Sequence, residues 1–157
     1  MPSARQGTSA VNIPDIGIVV VGGADNRRFS VKSAEMLVED PSGESGWRWI
    51  ELRAMLEGRE DPGIAYFNGC MVVAGGQYKQ PRITVEYLRL TSVEQPTAPP
   101  QWTRLHGVDT RCLHYTSLAT FNNRLIMLSS RHLTGQFNVE ATVTGGQFAT
   151  CKDRGHK

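Results

Sequence analysis

The sequence has few cysteines and no long apolar runs, which sets limits on its structural class. Its three cysteines, Cys70, Cys112 and Cys151, are an odd number, and none belongs to a C-x-x-C pair. This argues against a disulfide framework and a zinc knuckle, and it predicts an intracellular protein with reduced thiols. No apolar run reaches the ~18 residues of a transmembrane helix, so we expect no membrane-spanning segment.

The pattern of a secretory signal peptide is also missing. Arg5 is followed by an apolar run at residues 16–21, which is too short for the apolar core of a signal peptide. Asn12, Pro14 and Asp15 interrupt the approach to this run. We therefore expect the protein to be cytoplasmic, with no membrane partner.

The charge distribution gives no indication of nucleic-acid binding. The chain has 17 Lys and Arg residues against 15 Asp and Glu residues, a formal net charge of +2. Basic and acidic residues alternate along the chain, so no basic stripe is present that could follow a phosphate backbone. We expect an ordinary solvated surface and no nucleic-acid partner.

Motifs of catalysis and nucleotide binding are missing as well. The sequence has no G-x-S-x-G, no P-loop and no H-E-x-x-H. Its histidines are scattered, at His106, His114, His132 and His156. We therefore predict a protein that is not an enzyme and that carries no metal and no cofactor.

What the sequence does contain is an internal repeat. Three runs, I-V-V-V-G-G at 18–23, M-V-V-A-G-G at 71–76 and L-I-M-L-S-S at 125–130, begin 53 and then 54 positions apart. A fixed period of this size is typical of repeat architectures, in which each repeat is one structural unit. The paired glycines supply backbone freedom where a strand ends.

Three further markers keep the same order at nearly the same spacing. Each apolar run is followed by a small apolar residue and a glutamate, and the first two runs are then followed by W-x-x-L. A Phe-Asn pair precedes the second and third runs at a spacing of 54. The residues that carry these markers are Glu35, Glu86 and Glu140, then Trp49 and Trp102, then Asn68 and Asn122.

Together these markers resemble the kelch repeat, over roughly residues 16–145. The resemblance implies that each repeat is one four-stranded blade of a β-propeller, with a period near ~50 residues. We therefore predict an all-β fold of about three kelch-type blades. The first repeat lacks an opening strand and the third lacks the glycine pair and the tryptophan, so both are expected to be incomplete. Because propellers close with about 4–8 blades, the chain is expected to be a fragment of a closed propeller.

The repeat also fixes the expected boundaries. Residues 1–12 are small and polar and predict a disordered leader, and residues 151–157 predict a frayed tail. Residues 48–58 contain helix formers, but a strand is preferred there because Trp49 and Leu52 recur at Trp102 and Leu105. The expected blades are 13–57, 58–108 and 111–150.

Several residues have expected structural roles. Asn68-Gly69 predicts a hairpin turn, for which Asn122-Asn123 is a weaker substitute. Val72 and Val73 lie in a strand expected to be buried on both faces. The two repeated tryptophans are expected to pack between blades, and the three repeated glutamates to accept hydrogen bonds from backbone or arginine donors inside blades.

The kelch resemblance implies that function lies in two sets of loops on one face of the propeller. One set follows the glycine pair, and the other ends just before the next hairpin. Relatives often have arginine at the second set, and this chain does not. By position, the candidate partner-binding residues are Asp25, Asn26, Arg27, Arg28, Asp61, Gln77, Tyr78, Lys79, Tyr115, Arg131 and His132.

The resemblance further implies a non-enzymatic protein-interaction module. Such a module is similar to the substrate-recognition domains of BTB-kelch adaptors, which bring substrates to cullin-based ubiquitin ligases. The expected partner is then a ligase substrate. The alternatives are an actin-binding kelch scaffold and a kelch-fold enzyme such as a copper oxidase, which would need Tyr, His and Cys ligands that converge. Because an open array of blades leaves bare ends, we also expect the chain to self-associate.

Overall fold

The computed structural model describes residues 2–76, 84–90, 100–106, 115–130, 136–144 and 147–149. The described residues form twelve strands and no helix, which confirms the predicted all-β class. Residues 48–52 of the helix-forming stretch lie in strand β4, because cross-strand pairing overrides local helix propensity, and residues 53–58 form neither helix nor strand.

The strands form three open, four-stranded antiparallel sheets, each in chain order. This arrangement fits the blades of a β-propeller. The first sheet contains β1 (Ser9–Ile13), β2 (Gly17–Val21), β3 (Ala34–Glu39) and β4 (Trp47–Leu52). The second contains β5 (Gly63–Phe67), β6 (Cys70–Ala74), β7 (Val85–Arg89) and β8 (Trp102–Arg104). The third contains β9 (Tyr115–Phe121), β10 (Arg124–Ser130), β11 (Gln136–Thr144) and β12 (Gln147–Ala149).

The predicted disordered leader at 1–12 was wrong where it overlaps β1. Ser9 pairs with Val21 and Ile13 pairs with Gly17, so this segment is the opening strand that the first repeat was expected to lack. The error arose because β1 is short and has only two large apolar side chains, Val11 and Ile13, while the apolar strand β2 determines its pairing.

The expectation that the first and last repeats are incomplete was wrong for the same kind of reason. Each sheet has four strands, and β12 lies where the sequence shows no strand periodicity. The sheets span residues 9–52, 63–104 and 115–149, close to the predicted boundaries. The predicted frayed tail at 151–157 lies outside the described residues.

The predicted turns are confirmed in their backbone angles. Asn68 and Gly69 have φ of 47° and 73°, and Asn122 and Asn123 have 48° and 56°. A type I′ turn requires positive φ at both central residues, which asparagine and glycine adopt at low cost. Both turns join the first two strands of their sheets.

The sheets pack face to face, and their opening strands β1, β5 and β9 are neighbours. One apolar cluster lies between the first and second sheets, and another lies between the second and third. Val73 belongs to the former and Val72 to the latter, and both are fully buried. This confirms the predicted burial of that strand on both faces.

The two repeated tryptophans have different environments. Trp102 is buried in the cluster between the first two sheets, and its Nε1 donates a hydrogen bond of 2.7 Å to the carbonyl oxygen of Arg53. Trp49 is half-buried on the opposite side of the first sheet. The predicted packing role between sheets is therefore confirmed for Trp102 only.

Candidate functional site

The two predicted loop sets meet at one end of the sheets. Gln6 and Ala24 exchange backbone hydrogen bonds of 3.1 and 2.7 Å, which join the segment before β1 to the loop after β2. Gly23 N–H donates to the carbonyl oxygen of Arg59 at 2.7 Å, which joins that loop to the segment before β5. We call this surface, formed by residues 5–8, 22–30, 59–62 and 75–76, the loop face.

Glycine is required where these segments approach each other. Gly22 has φ of 64°, and a Cβ atom there would lie 2.4 Å from the carbonyl oxygen of Arg59. At Gly76, with φ of 101°, a Cβ atom would lie 2.9 Å from the carbonyl oxygen of Glu60. The repeated glycine pairs therefore admit the neighbouring segment as well as ending the strands.

Asp25 organises the exposed part of the loop face. Its Oδ1 accepts hydrogen bonds of 2.9 Å from the backbone N–H groups of both Arg27 and Phe29. Arg28 N–H donates to the carbonyl oxygen of Asp25 at 2.9 Å, and Arg28 has a left-handed φ of 61°. These bonds define one turn shape and leave the side chains of Asn26, Arg27, Arg28 and Phe29 exposed.

Asp61 lies on the same face, beside the segment before β1. Its backbone N–H donates to the carbonyl oxygen of Gly7 at 2.8 Å, and its side chain is exposed. Asp61 and Gly7 are 54 positions apart and have φ of 50° and 63°, so they occupy equivalent turns before β5 and β1. The equivalent position in the first sheet therefore has no side chain to contribute.

A buried ion pair supports the loop face from below. Arg59 is inaccessible to solvent, and its Nε donates to Glu86 Oε1 at 2.8 Å. Its Nη1 donates to the carbonyl oxygens of Gly75 and Thr84, at 2.6 and 3.0 Å. The other oxygen of Glu86 accepts a 2.7 Å hydrogen bond from Leu56 N–H. Because both charges are bonded, the pair holds the connection between sheets in place without leaving a buried charge unpaired.

A similar pair occurs in the first sheet but has fewer bonds. Arg5 Nη2 lies 2.9 Å from Glu35 Oε2, and both side chains are buried. Arg5 Nη1 also donates to Ser33. However, Arg5 Nε and Nη2 and Glu35 Oε2 have no hydrogen-bond partner among the described residues. The predicted acceptor role is thus confirmed for Glu86 and is only partly fulfilled by Glu35.

The structure describes about half of the predicted partner-binding residues. It places Asp25, Asn26, Arg27, Arg28 and Asp61 on the loop face. For Tyr115 it describes only the backbone, at the start of β9 and paired with Ser130. The remaining candidates, Gln77, Tyr78, Lys79, Arg131 and His132, lie outside the described residues.

Two features of the face were not included among the candidates from the sequence. Phe29 is an exposed aromatic residue on the Asp25 turn, beyond the four positions that the repeat pointed to. Arg5 and Arg59 were not recognised as the partners of the repeated glutamates. Their spacing of 54 matches the repeat and was the available signal.

The described part of the loop face exposes guanidinium, amide, carboxylate and aromatic side chains. No group of three or more His, Cys, Asp or Glu side chains that could hold a metal ion occurs among the described residues.

Outside this face, burial raises the pKa of the Cys70 thiol, with Arg89 opposing the shift, so this thiol stays protonated near neutral pH. Within the parts of the chain that are described, no helix is long and apolar enough to cross a membrane.

Comparison with known proteins supports the fold alone. No family model and no curated protein sequence matches this chain. A solved structure described as "Structure of YjhT" is similar, with a TM-score of 0.69 and 14% sequence identity. The similarity covers 95% of this chain and 46% of that one, so this chain spans less than half of its length.

Proposed function

We propose that the three sheets are blades of a kelch-type β-propeller and that the protein is a non-enzymatic protein-interaction module. Three arguments support this proposal: the repeated sequence markers, the four-stranded sheets with neighbouring opening strands, and the fold similarity. The partner would bind at the loop face, because loops held by a rigid scaffold are where binding residues concentrate.

The Asp25 turn is the observation that carries the proposal. It presents Arg27, Arg28 and Phe29 to solvent while four hydrogen bonds involving Asp25 fix its backbone. Arginine and aromatic residues are enriched in protein interfaces, and a preorganised loop loses less conformational entropy on binding. A partner surface with a carboxylate beside an apolar side chain would complement this turn.

The proposed partner class follows the kelch resemblance. A role like that of substrate-recognition domains in BTB-kelch adaptors would make the partner a ubiquitin-ligase substrate in the cytoplasm. An actin-binding scaffold is the alternative within the same class. The two differ in a direct measurement, because cosedimentation with filamentous actin detects the second.

The test compares protein partners captured by variants of the chain. In an Arg27→Glu/Arg28→Glu double variant, reversed charge on the turn should abolish capture of proteins that bind through the loop face. Arg89→Glu is the matched control, since Arg89 is exposed and lies at the hairpin end of the second sheet, near Gly69. Both variants should keep the circular-dichroism spectrum of the wild type.

Quantitative mass spectrometry of the captured proteins gives the result. Proteins lost with the double variant and retained with Arg89→Glu support the proposal. Identical capture by all three chains would show that the loop face is not the binding surface. The enzyme alternative is tested on the same preparation, because about one equivalent of tightly bound copper by elemental analysis would favour an oxidase.

A further inference from the structure

The two outer sheets each have one face that no other described sheet covers, although Arg5 and Ser3 contact Glu35 on the first of these faces. On the first sheet this is the side away from the second sheet, and we call it the leading face. On the third sheet it is again the side away from the second sheet, and we call it the trailing face. The leading face contains Ile18, Val20, Glu35, Leu37 and Trp49, and the trailing face contains Ala119, Phe121, Ile126 and Leu128.

The leading face has the residues of a buried interface. In strand register, Ile18 corresponds to Met71, since Ile18 pairs with Leu37 and Met71 pairs with Leu88. Met71 is 0% exposed because the first sheet covers it, whereas Ile18 is 42% exposed. The chemistry of the position is the same in both sheets, and only the neighbour differs.

The trailing face shows the same relation. Phe121 corresponds to Phe67, because each ends the opening strand of its sheet immediately before the hairpin turn. Phe67 is 3% exposed beneath the third sheet, and Phe121 is 63% exposed. Leu128 is 43% exposed, whereas the corresponding Ala74 is 0% exposed. The trailing face of the third sheet therefore has apolar side chains at positions that, in the second sheet, are buried against a neighbouring sheet.

Polar atoms on the leading face point to the same conclusion. Glu86 Oε2 is bonded by Leu56 N–H from the connection that leaves the preceding sheet. The position equivalent to Leu56, 54 residues earlier, is Pro2, which has no N–H group. Glu35 Oε2 is therefore buried without the backbone donor that Glu86 Oε2 has, and its contact with Arg5 Nη2 at 2.9 Å is an ion pair without hydrogen-bond geometry.

We propose that a second copy of this chain covers these faces, with its trailing face on the leading face of the first copy. Two such contacts related by a two-fold axis close a ring of six sheets, and no face is then left open. The chain matches 46% of the length of a solved chain of similar fold, so two copies together have nearly the length of that single chain. The inference depends on the sheet packing and does not depend on the loop face binding a partner.

Sedimentation velocity of the chain and of two single variants tests this arrangement. The wild type should sediment at twice its mass of 17.3 kDa. Ile18→Arg and Leu128→Arg should each be monomeric, with the dissociation constant raised about 100-fold or more by a charge in an apolar contact. Both residues are exposed within one copy, so each variant should keep the wild-type circular-dichroism spectrum.

Mixing the two variants distinguishes this arrangement from other dimers. Ile18→Arg retains a trailing face and Leu128→Arg retains a leading face, so the mixture should form a weak one-to-one dimer through one contact. Phe29→Arg is the control, since it places the same charge at a similarly exposed apolar residue on the loop face, and it should remain dimeric.

Three outcomes would overturn the proposal. A wild-type monomer would show that the faces are covered within one copy or tolerate solvent. A dimer that persists in Ile18→Arg alone would show that like faces pair with each other. An open-ended polymer would show that the contact does not close into a ring.

Discussion

The first and second sheets have the same residue types at the same register positions, yet their environments differ. In the second sheet Met71, Glu86 and Trp102 are buried beneath the first sheet, and the charged group is fully bonded. In the first sheet the corresponding Ile18 is exposed and Glu35 is only partly bonded. The repeated residues thus form an apolar face in each sheet, and this face stabilises the protein only where a neighbouring sheet packs on it.

This comparison shows how stability is distributed in a repeat array. Each sheet contributes modest local pairing, and the apolar contacts between sheets supply much of the rest. A residue at a repeated position therefore has no fixed contribution to the free energy of unfolding, because the contribution depends on whether a neighbouring sheet is present. Matched positions of the two sheets can be compared in the Leu128→Arg background, in which we expect the chain to be monomeric.

The largest difference is expected when a carboxylate is introduced into the apolar faces. Met71→Asp should lower the free energy of unfolding by more than about 4 kcal/mol, because the charge would be buried between two sheets without a partner. Ile18→Asp should change it by less than about 1 kcal/mol, because the charge stays hydrated. Urea unfolding followed by tryptophan fluorescence measures both, and equal losses would mean that the first sheet does not cover Met71 in solution.

Removal of the arginines should give the next largest difference. Arg59→Ala leaves Glu86 as a buried unpaired charge and should cost about 3–5 kcal/mol. Arg5→Ala should cost less than about 2 kcal/mol, since no sheet lies over Glu35 and removal of the Arg5 side chain would let water reach this carboxylate.

The reason for the arginine effect can be checked with a double variant. Arg59→Met/Glu86→Leu removes both buried charges together and should recover much of the loss seen with Arg59→Ala. Urea midpoints of the wild type, the single variant and the double variant give this result. If the double variant is no more stable than Arg59→Ala, the cost arises from lost packing and not from an unpaired carboxylate.

The smallest difference is expected for the tryptophans. Trp102→Phe removes the donor to the carbonyl oxygen of Arg53 and should cost about 1–2 kcal/mol. Trp49→Phe, on the half-buried leading face, should stay within about 0.5 kcal/mol. Thermal unfolding followed by circular dichroism measures both changes, and a larger loss at Trp49 would contradict the assignment of an open face there.

Much of the fold could be predicted from the sequence because its signals are local. The Asn68-Gly69 turn, the glycine pairs after β2 and β6, and the apolar run around Val73 each indicate one backbone shape or one buried strand. The opening strand β1 could not be predicted in this way. It is a short segment, S-A-V-N-I, with only two large apolar side chains, and its pairing with β2 defines it as a strand.

The candidate site could be predicted in position more than in detail. The repeat correctly placed Asp25, Arg27, Arg28 and Asp61 at one end of the sheets. It did not indicate that the Asp25 carboxylate holds the turn or that Gly7 occupies the position of Asp61. These depend on hydrogen bonds and contacts between segments that the repeat period does not encode.

By itself the sequence determined the repeat period, the positions of the hairpin turns and which strand has two apolar faces. Steric limits on φ and the alternation of side chains along a strand act within a few residues, so a short stretch suffices to specify them. Only the tertiary structure decided that Arg59 bonds Glu86 and that Trp102 is covered while Trp49 is not. Burial and charge pairing are properties of neighbours distant in the chain, and identical residues acquire different energies when those neighbours differ.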